Sequence, residues 1–156
     1  MTQSGITFKI TPDRITELPQ DKVFVFGSNL AGIHNSGAAL WTISQKISRH
    51  GQGVGMCFTE QGHSYALATR DYECRLLSLQ AIDLQVELFL LSAKLLPEYE
   101  FLVTRIGCGP ASYLPHQIAP SFFSNNDLDA TAFAQKYPNI HLPQEFWDNH
   151  LAPSTC

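Results

Sequence analysis

Val23 to Ala39 reads VFVFGSNLAGIHNSGAA, and this stretch decides the fold. Val23, Phe24, Val25 and Phe26 are β-branched or aromatic and carry no charge, which suits a strand buried on both faces. Between Phe26 and a helical pattern that starts near Ala38 stand Gly27, Ser28, Asn29, Gly32, His34, Asn35, Ser36 and Gly37. A loop of this makeup bends sharply and presents backbone N–H groups. Lying after a buried parallel strand and before a helix N-terminus, it occupies the place where open α/β sheets bind ligands and where oriented amides favour an anion. The first expectation is therefore a phosphate-bearing small molecule.

Outward from this loop, strands alternate with helices. Ile6–Ile10 reads as a first strand, Lys22–Phe26 as the central one, Ser64–Thr69 and Phe101–Ile106 as two more, and Asn139–His141 as a short last one. Ala39, Leu40, Ile43 and Ile47 recur at helical spacing over 38–47. Ser78 is placed to cap a helix over Leu79–Leu96 that packs Leu79, Ile82, Val86, Phe89, Leu90 and Ala93, and Pro97 closes it. Leu84, Leu88 and Leu91 fall off that stripe, which calls for a second covering element or a second subunit. Pro115 starts a short helix, Thr131–Lys136 forms another, and Phe146 and Trp147 pack back on the body. Gly51–Gly62, with four glycines, reads as an irregular functional loop. The pattern is an α/β sheet with helices on both faces, and right-handed crossovers bring the loops after Phe26, Thr69 and Ile106 to one edge. Residues 1–149 read as one domain and 150–156 as a frayed tail.

Composition narrows the partners. The 156 residues hold 44% apolar and 11% aromatic side chains, ordinary for one globular core, and ten basic against fourteen acidic residues give a formal charge of −4. That balance argues against extended nucleic acid as the main partner. Cys57, Cys74, Cys108 and Cys156 are too scattered for a zinc site and read as free thiols in a reducing compartment. Without a leader pattern or a long apolar run, the expectation is a cytoplasmic protein with no membrane contact, a monomer or weak homodimer.

FVFGSNLAGIHNSGAA, GQGVG (51–55), GHSYALATRD (62–71) and FLVTRIGCGPASY (101–113) with IAPSFF (118–123) resemble, in order, a bacterial and phage branch of the macrodomain-like proteins. Typical members of that branch read approximately FVFGSN-x-x-G-x-HGAGAA, YGQGEG, GQSYAIPTKD and VT-x-IGCG-x-AGY. The resemblance spans about Val23 to Phe123 and implies a three-layer α/β/α macrodomain-like fold with a mixed, mostly parallel central sheet. It implies binding of ADP-ribose, with hydrolysis of ADP-ribose from a protein, nucleic acid or small molecule as a possible activity. No metal or cofactor is required. A non-catalytic reader of ADP-ribose or a related nucleotide, and an interaction protein on the same scaffold, are the alternatives.

By the same resemblance, Asn29 holds the distal ribose, and Ser36, Gly37 and Ala38 line the diphosphate; Gly27 and Ser28 of the same loop are further candidate ligand-binding residues. Gly107, Cys108, Gly109, Pro110 and Ala111 form a second phosphate loop, and Asp13 lies near the adenine position. Tyr113 stacks on a ring or sits at the rim. Asn29, His34 and Asp71 are the candidate catalytic residues: a carboxamide to orient the sugar, an imidazole of near-neutral pKa and a carboxylate to support a water. Each has a plainer reading, as an Asx-turn, a satisfied loop histidine and a salt-bridged cap. Arg70 and Arg105 are the nearest charges to balance a pyrophosphate. The sequence departs from the branch at Asn35 and Ser36, where glycine and alanine are usual, at Ala68 in place of proline, and at Met56–Gln61, which reads as an insertion.

Overall fold

Strand β3 (Lys22–Asn29) carries both faces of the protein's interior. A strand alternates its side chains, so Val23 and Val25 enter one apolar cluster while Phe24 and Phe26 enter another on the opposite face. The computed structural model describes residues 2–3, 6–109 and 112–151. Before β3 lie β1 (Thr2–Gln3) and β2 (Ile6–Thr7), an antiparallel pair. After it come α1 (Gly37–Ser44), β4 (Gly55–Phe58), β5 (His63–Arg70), α2 (Leu79–Leu95), β6 (Glu100–Val103), α3 (Pro115–Ile118), α4 (Ala130–Lys136), β7 (Ile140–His141) and α5 (Gln144–Leu151).

The main sheet has five strands in the order β4-β5-β3-β6-β7. β5, β3, β6 and β7 run parallel, and β4 pairs antiparallel on the outside of β5. This is a mixed α/β architecture with a mostly parallel sheet. Parallel neighbours end at the same edge, so the chain leaves β3, β5 and β6 side by side. A register shift between Ser28 and Asn29 opposite β5 bends the last residue of β3 at that edge.

The larger cluster joins Val23, Val25, Tyr65, Leu67, Phe101 and Val103 of the sheet to Ile82, Val86, Phe89, Leu90 and Ala93 of α2, and takes in Phe133, Phe146 and Trp147. The smaller one sets Phe24, Phe26 and Ala66 against Ile47, with Ala39 and Trp41 of α1 beside them. α2 starts as its sequence demands: the Ser78 hydroxyl accepts from the Ala81 N–H. Its other end is closed by Asn139, whose amide donates to the carbonyls of Ala93, Leu96 and Tyr99. Leu79 sits at the rim of the packed stripe, 36% exposed.

Several boundaries and one element depart from the sequence reading. Only Ile6–Thr7 of the first expected strand is a strand, although Ile10 still bridges Leu142. Gly51–Gly62 is not irregular throughout, and Met56–Gln61 is no excursion. Met56–Phe58 belongs to β4, with Cys57 buried, and Thr59 closes the turn to β5 by hydrogen bonds with Gly62. Arg105 lies beyond the end of β6, and α5 runs through Leu151, past the expected end of the body. Residues 152–156 of the expected tail, including Cys156, fall outside the described residues, while Cys57, Cys74 and Cys108 are free thiols. Among the described residues no helix is long and apolar enough to cross a membrane.

The β6–β7 side of the sheet holds a titratable clamp. Glu100 Oε1 accepts from Lys9 Nζ and from His141 Nε2, each at 2.8 Å. Burial alone would raise the Glu100 pKa, but these hydrogen bonds hold it below its ordinary value. Burial pushes His141 below its usual 6.5, against the pull of Glu100. Lys9 brings a full charge to Glu100, and a neutral His141 still donates its N–H, so both partners favour the ionised carboxylate. Both depressed pKa values have the same sign of effect, because the unfolded chain takes up each proton first. Stability is therefore expected to fall below about pH 6.5 as His141 is charged, and again below about pH 4.5 as Glu100 is neutralised. Thermal melts from pH 8 to pH 4 check this, with the lower limb flattened in Glu100→Gln.

Candidate functional site

The shared edge of β3, β5 and β6 opens into an inner cavity of about 460 Å3. Gly27, Ser28 and Asn29 from the end of β3, Thr69 and Arg70 from β5, and Thr104, Arg105, Ile106, Gly107 and Gly109 after β6 line it with Ser36, Gly37, Ala38 and Ala39 at the start of α1. Asn35, Cys74 and Ser112 complete its polar wall. Ser36 precedes α1 without a side-chain cap, and no carboxylate stands in the first turn. The leading N–H groups of a helix have no partner within it, so those of Gly37, Ala38 and Ala39 remain as donors beside the cavity.

An outer cavity of about 560 Å3 adjoins the first. Gly37, Ala38, Thr104 and Arg105 line both, and Thr11, Pro12, Asp13, Arg14, Ile15, Phe24, Trp41 and Pro143 form the rest of the outer wall. Trp41 packs against Phe24 with ring centroids 4.8 Å apart. The two cavities thus make one cleft with a glycine- and amide-rich inner end and an aromatic outer end. No Asp or Glu is among the lining residues of the inner cavity, while Arg70 and Arg105 are. Arg70 is held in place by donating to the Cys74 carbonyl at 3.1 Å and to Ser112 Oγ at 2.9 Å. Arg105 meets Glu145 at 2.7 Å, so its charge is shared with the first turn of α5.

Of the expected ligand-binding residues, Gly27, Ser28, Asn29, Ser36, Gly37, Ala38, Gly107 and Gly109 come together on the inner cavity, and Asp13 stands exposed at the outer one. Pro110 and Ala111 lie outside the described residues. Cys108 and Tyr113 are not among the lining residues. Tyr113 instead donates its hydroxyl to the Leu77 carbonyl at 2.8 Å, and both side chains pack against the larger core. Burial raises the Cys108 thiol to about 11, with Arg105 opposing and Glu145 adding, so it is no nucleophile at neutral pH.

The three candidate catalytic residues are otherwise engaged. Asn29 closes its own loop: Nδ2 donates to the Ile33 carbonyl at 2.9 Å, and Oδ1 accepts from the Ile33 N–H at 3.0 Å. It still borders the cavity, with one Oδ1 lone pair left over. His34 is 1% exposed and lies beneath the loop, not on the cleft. Its Nε2 meets Ser28 Oγ at 3.1 Å, its ring stands edge-on to Phe26, and among the described residues Nδ1 has no partner of good hydrogen-bond geometry. Burial lowers its pKa, His50 pushes the same way, and the nearby Gln52 backbone opposes. A neutral imidazole is the result.

Asp71 is spent on a turn. Its Oδ1 accepts from the N–H groups of Glu73 and Arg75 at 2.9 Å, and Oδ2 meets Arg75 Nε at 3.2 Å. The Arg75 N–H is the first cause of its lowered pKa, over the opposing effect of desolvation, with Glu73 and the Arg75 side chain adding. These contacts match the plainer reading of Asp71 as a salt-bridged cap, whereas His34 is buried with an unsatisfied Nδ1 among the described residues and so is not the satisfied loop histidine of its plainer reading. Arg14, Trp41, Cys74 and Ser112 are cleft residues that no local pattern announced, since each comes from a separate segment. Trp41 had one visible signal: it follows the glycine-rich turn by a single helical turn.

No family model matches the chain, and no curated protein matches it. The chain is similar to a solved structure described as that of a protein of unknown function from Bacteroides thetaiotaomicron. The two share 13% identity and superpose with a TM-score of 0.53, over 87% of this chain and 96% of that one. At that identity the likeness speaks for the fold alone.

Proposed function

We propose that this protein binds ADP-ribose, free or attached to a partner molecule, on a three-layer α/β/α macrodomain-like fold, and that it acts as a reader. The observation that carries the reading is the junction of the two cavities at Gly37, Ala38, Thr104 and Arg105. A diphosphate at that junction faces the free amides of the first turn of α1, with Arg70 and the Glu145-paired Arg105 beside it and no Asp or Glu among the lining residues of the inner cavity. The adenine then falls in the outer cavity beside Trp41 and Phe24, within reach of Asp13, and the distal ribose in the inner one beside Asn29. Each cavity falls within the usual range for small-molecule sites, about 300–1,000 Å3.

Reading rather than hydrolysis is favoured because Asp71 is held in its turn, His34 lies under the loop, and the Asn29 amide is paired with Ile33. Hydrolysis would then rest on the substrate diphosphate to orient a water, with Asn29 beside the sugar. Isothermal calorimetry is expected to give a micromolar Kd for ADP-ribose, and radiolabelled ADP-ribosylated protein and nucleic acid are expected to keep their label after incubation. Absence of heat at millimolar ligand overturns the binding site; release of free ADP-ribose leaves the site and overturns the reader assignment.

A further inference from the structure

α2 has two apolar faces, and among the described residues only one is covered. Ile82, Val86, Phe89, Leu90 and Ala93 are buried against the sheet, while Leu84, Leu88, Leu91 and Leu95 are 64%, 45%, 55% and 69% exposed. At 100° per residue the four leucines fall within one narrow stripe on the side opposite the core. Their spacing of four, three and four residues is that of a coiled-coil seam, which sets each leucine to enter the gaps of a facing helix. Four such leucines on one helix form a continuous strip, unlike the singly scattered apolar residues of an ordinary surface.

We propose that this face is a homodimer interface in which α2 packs antiparallel against α2 of a second copy about a two-fold axis. The stripe is self-complementary in that direction. The register that sets Leu84 against the partner's Leu95, and Leu88 against the partner's Leu91, also brings Glu87 beside the partner's Lys94. The two-fold axis repeats that ion pair, since an isologous contact presents each patch twice. Glu87 and Lys94 border the same side of the leucine stripe, are both exposed, and form no salt bridge among the described residues. A parallel pairing instead sets Glu87 near the partner's Ser92 and leaves Lys94 without an acid. Charge placement thus selects both the occupant, a second copy, and its direction. A single helix pair is a small interface, which fits a dimer of micromolar rather than nanomolar affinity.

Sedimentation velocity on the full chain over a range from about 1 µM to about 1 mM tests the proposal, the concentrations bracketing micromolar binding. The wild type is expected to shift from monomer to dimer. Leu88→Glu with Leu91→Glu is expected to remain a monomer throughout, with an unchanged far-UV spectrum because both positions face solvent. Glu87→Lys and Lys94→Glu are each expected to weaken the dimer at least about tenfold, the order of effect for a repelling charge pair repeated by symmetry. The double variant Glu87→Lys with Lys94→Glu is expected to restore it. A wild type that stays monomeric at the highest concentration overturns the proposal, as does a dimer indifferent to the leucine changes. A double variant as weak as the singles overturns the antiparallel register.

Discussion

Gly37→Leu is expected to weaken ADP-ribose binding at least about 100-fold, or about 2.7 kcal/mol, while leaving the protein folded. Gly37 is the one residue that begins α1, lines both cavities and has nothing within 4 Å of where a Cβ would stand. A side chain there projects into open cleft, over the donors that the diphosphate needs. Its backbone φ is +56°, a region costly to any L side chain. The folding cost is therefore about 1–2 kcal/mol, or roughly 2–8 °C in thermal midpoint for a chain of this size. Calorimetry and a thermal melt on the same preparation separate the two effects. Undiminished affinity in a folded Gly37→Leu protein would move the ligand away from the junction.

The second large effect is expected at Gly53, which is not among the lining residues of either cavity of the cleft. A Cβ on Gly53 would overlap the Asn29 carbonyl oxygen and lie 2.9 Å from the Leu30 carbonyl carbon, both backbone atoms that cannot swing aside. The contact is reciprocal. Gly32, with φ +70°, has no room for a Cβ against Gly51 and Gln52, and the Gly51 N–H donates to the Gly32 carbonyl at 2.9 Å. The two glycine-rich loops are thus zipped backbone to backbone, and the second sets the position of the first. Gly53→Ala is expected to destabilise the fold by about 3 kcal/mol or more, about 6–12 °C in midpoint. ADP-ribose binding should be lost with it, since the Asn29–Ile33 loop walls the inner cavity. An unaltered melt for Gly53→Ala would dissolve this interlock.

That interlock also explains what the sequence concealed. Four glycines between residues 51 and 62 read as an irregular functional loop, yet Gly53 gives close backbone approach, Gly51 takes a φ of +90° with open space where a Cβ would stand, and Gly55 begins an edge strand. Glycine content alone does not separate a turn that needs positive φ from one that needs space for a neighbour. β3, β5 and α2 were legible because each carries its burial pattern within a single run: unbroken apolar residues for strands covered on both faces, and a helical stripe behind Ser78 for the helix. The gathering of strand ends into one cleft followed from parallel pairing, which the alternation of strands and helices implied.

Individual side chains were harder to read, because hydrogen bonds decide them. Asp71 stands just after a strand, where a carboxylate reads equally well as a base or a cap, and only the N–H groups of Glu73 and Arg75 settle which. His34 sits mid-loop in sequence but is folded beneath that loop onto Phe26. The outer cavity was invisible because Arg14, Phe24 and Trp41 have no fixed spacing in the chain and meet only in space.

A crystal of the protein soaked with millimolar ADP-ribose shows where the nucleotide sits. Density is expected for the diphosphate against the amides of Gly37 and Ala38, the adenine beside Trp41 and the distal ribose beside Asn29. An unchanged cleft at full soak, or the nucleotide bound on another face of the molecule, would contradict it.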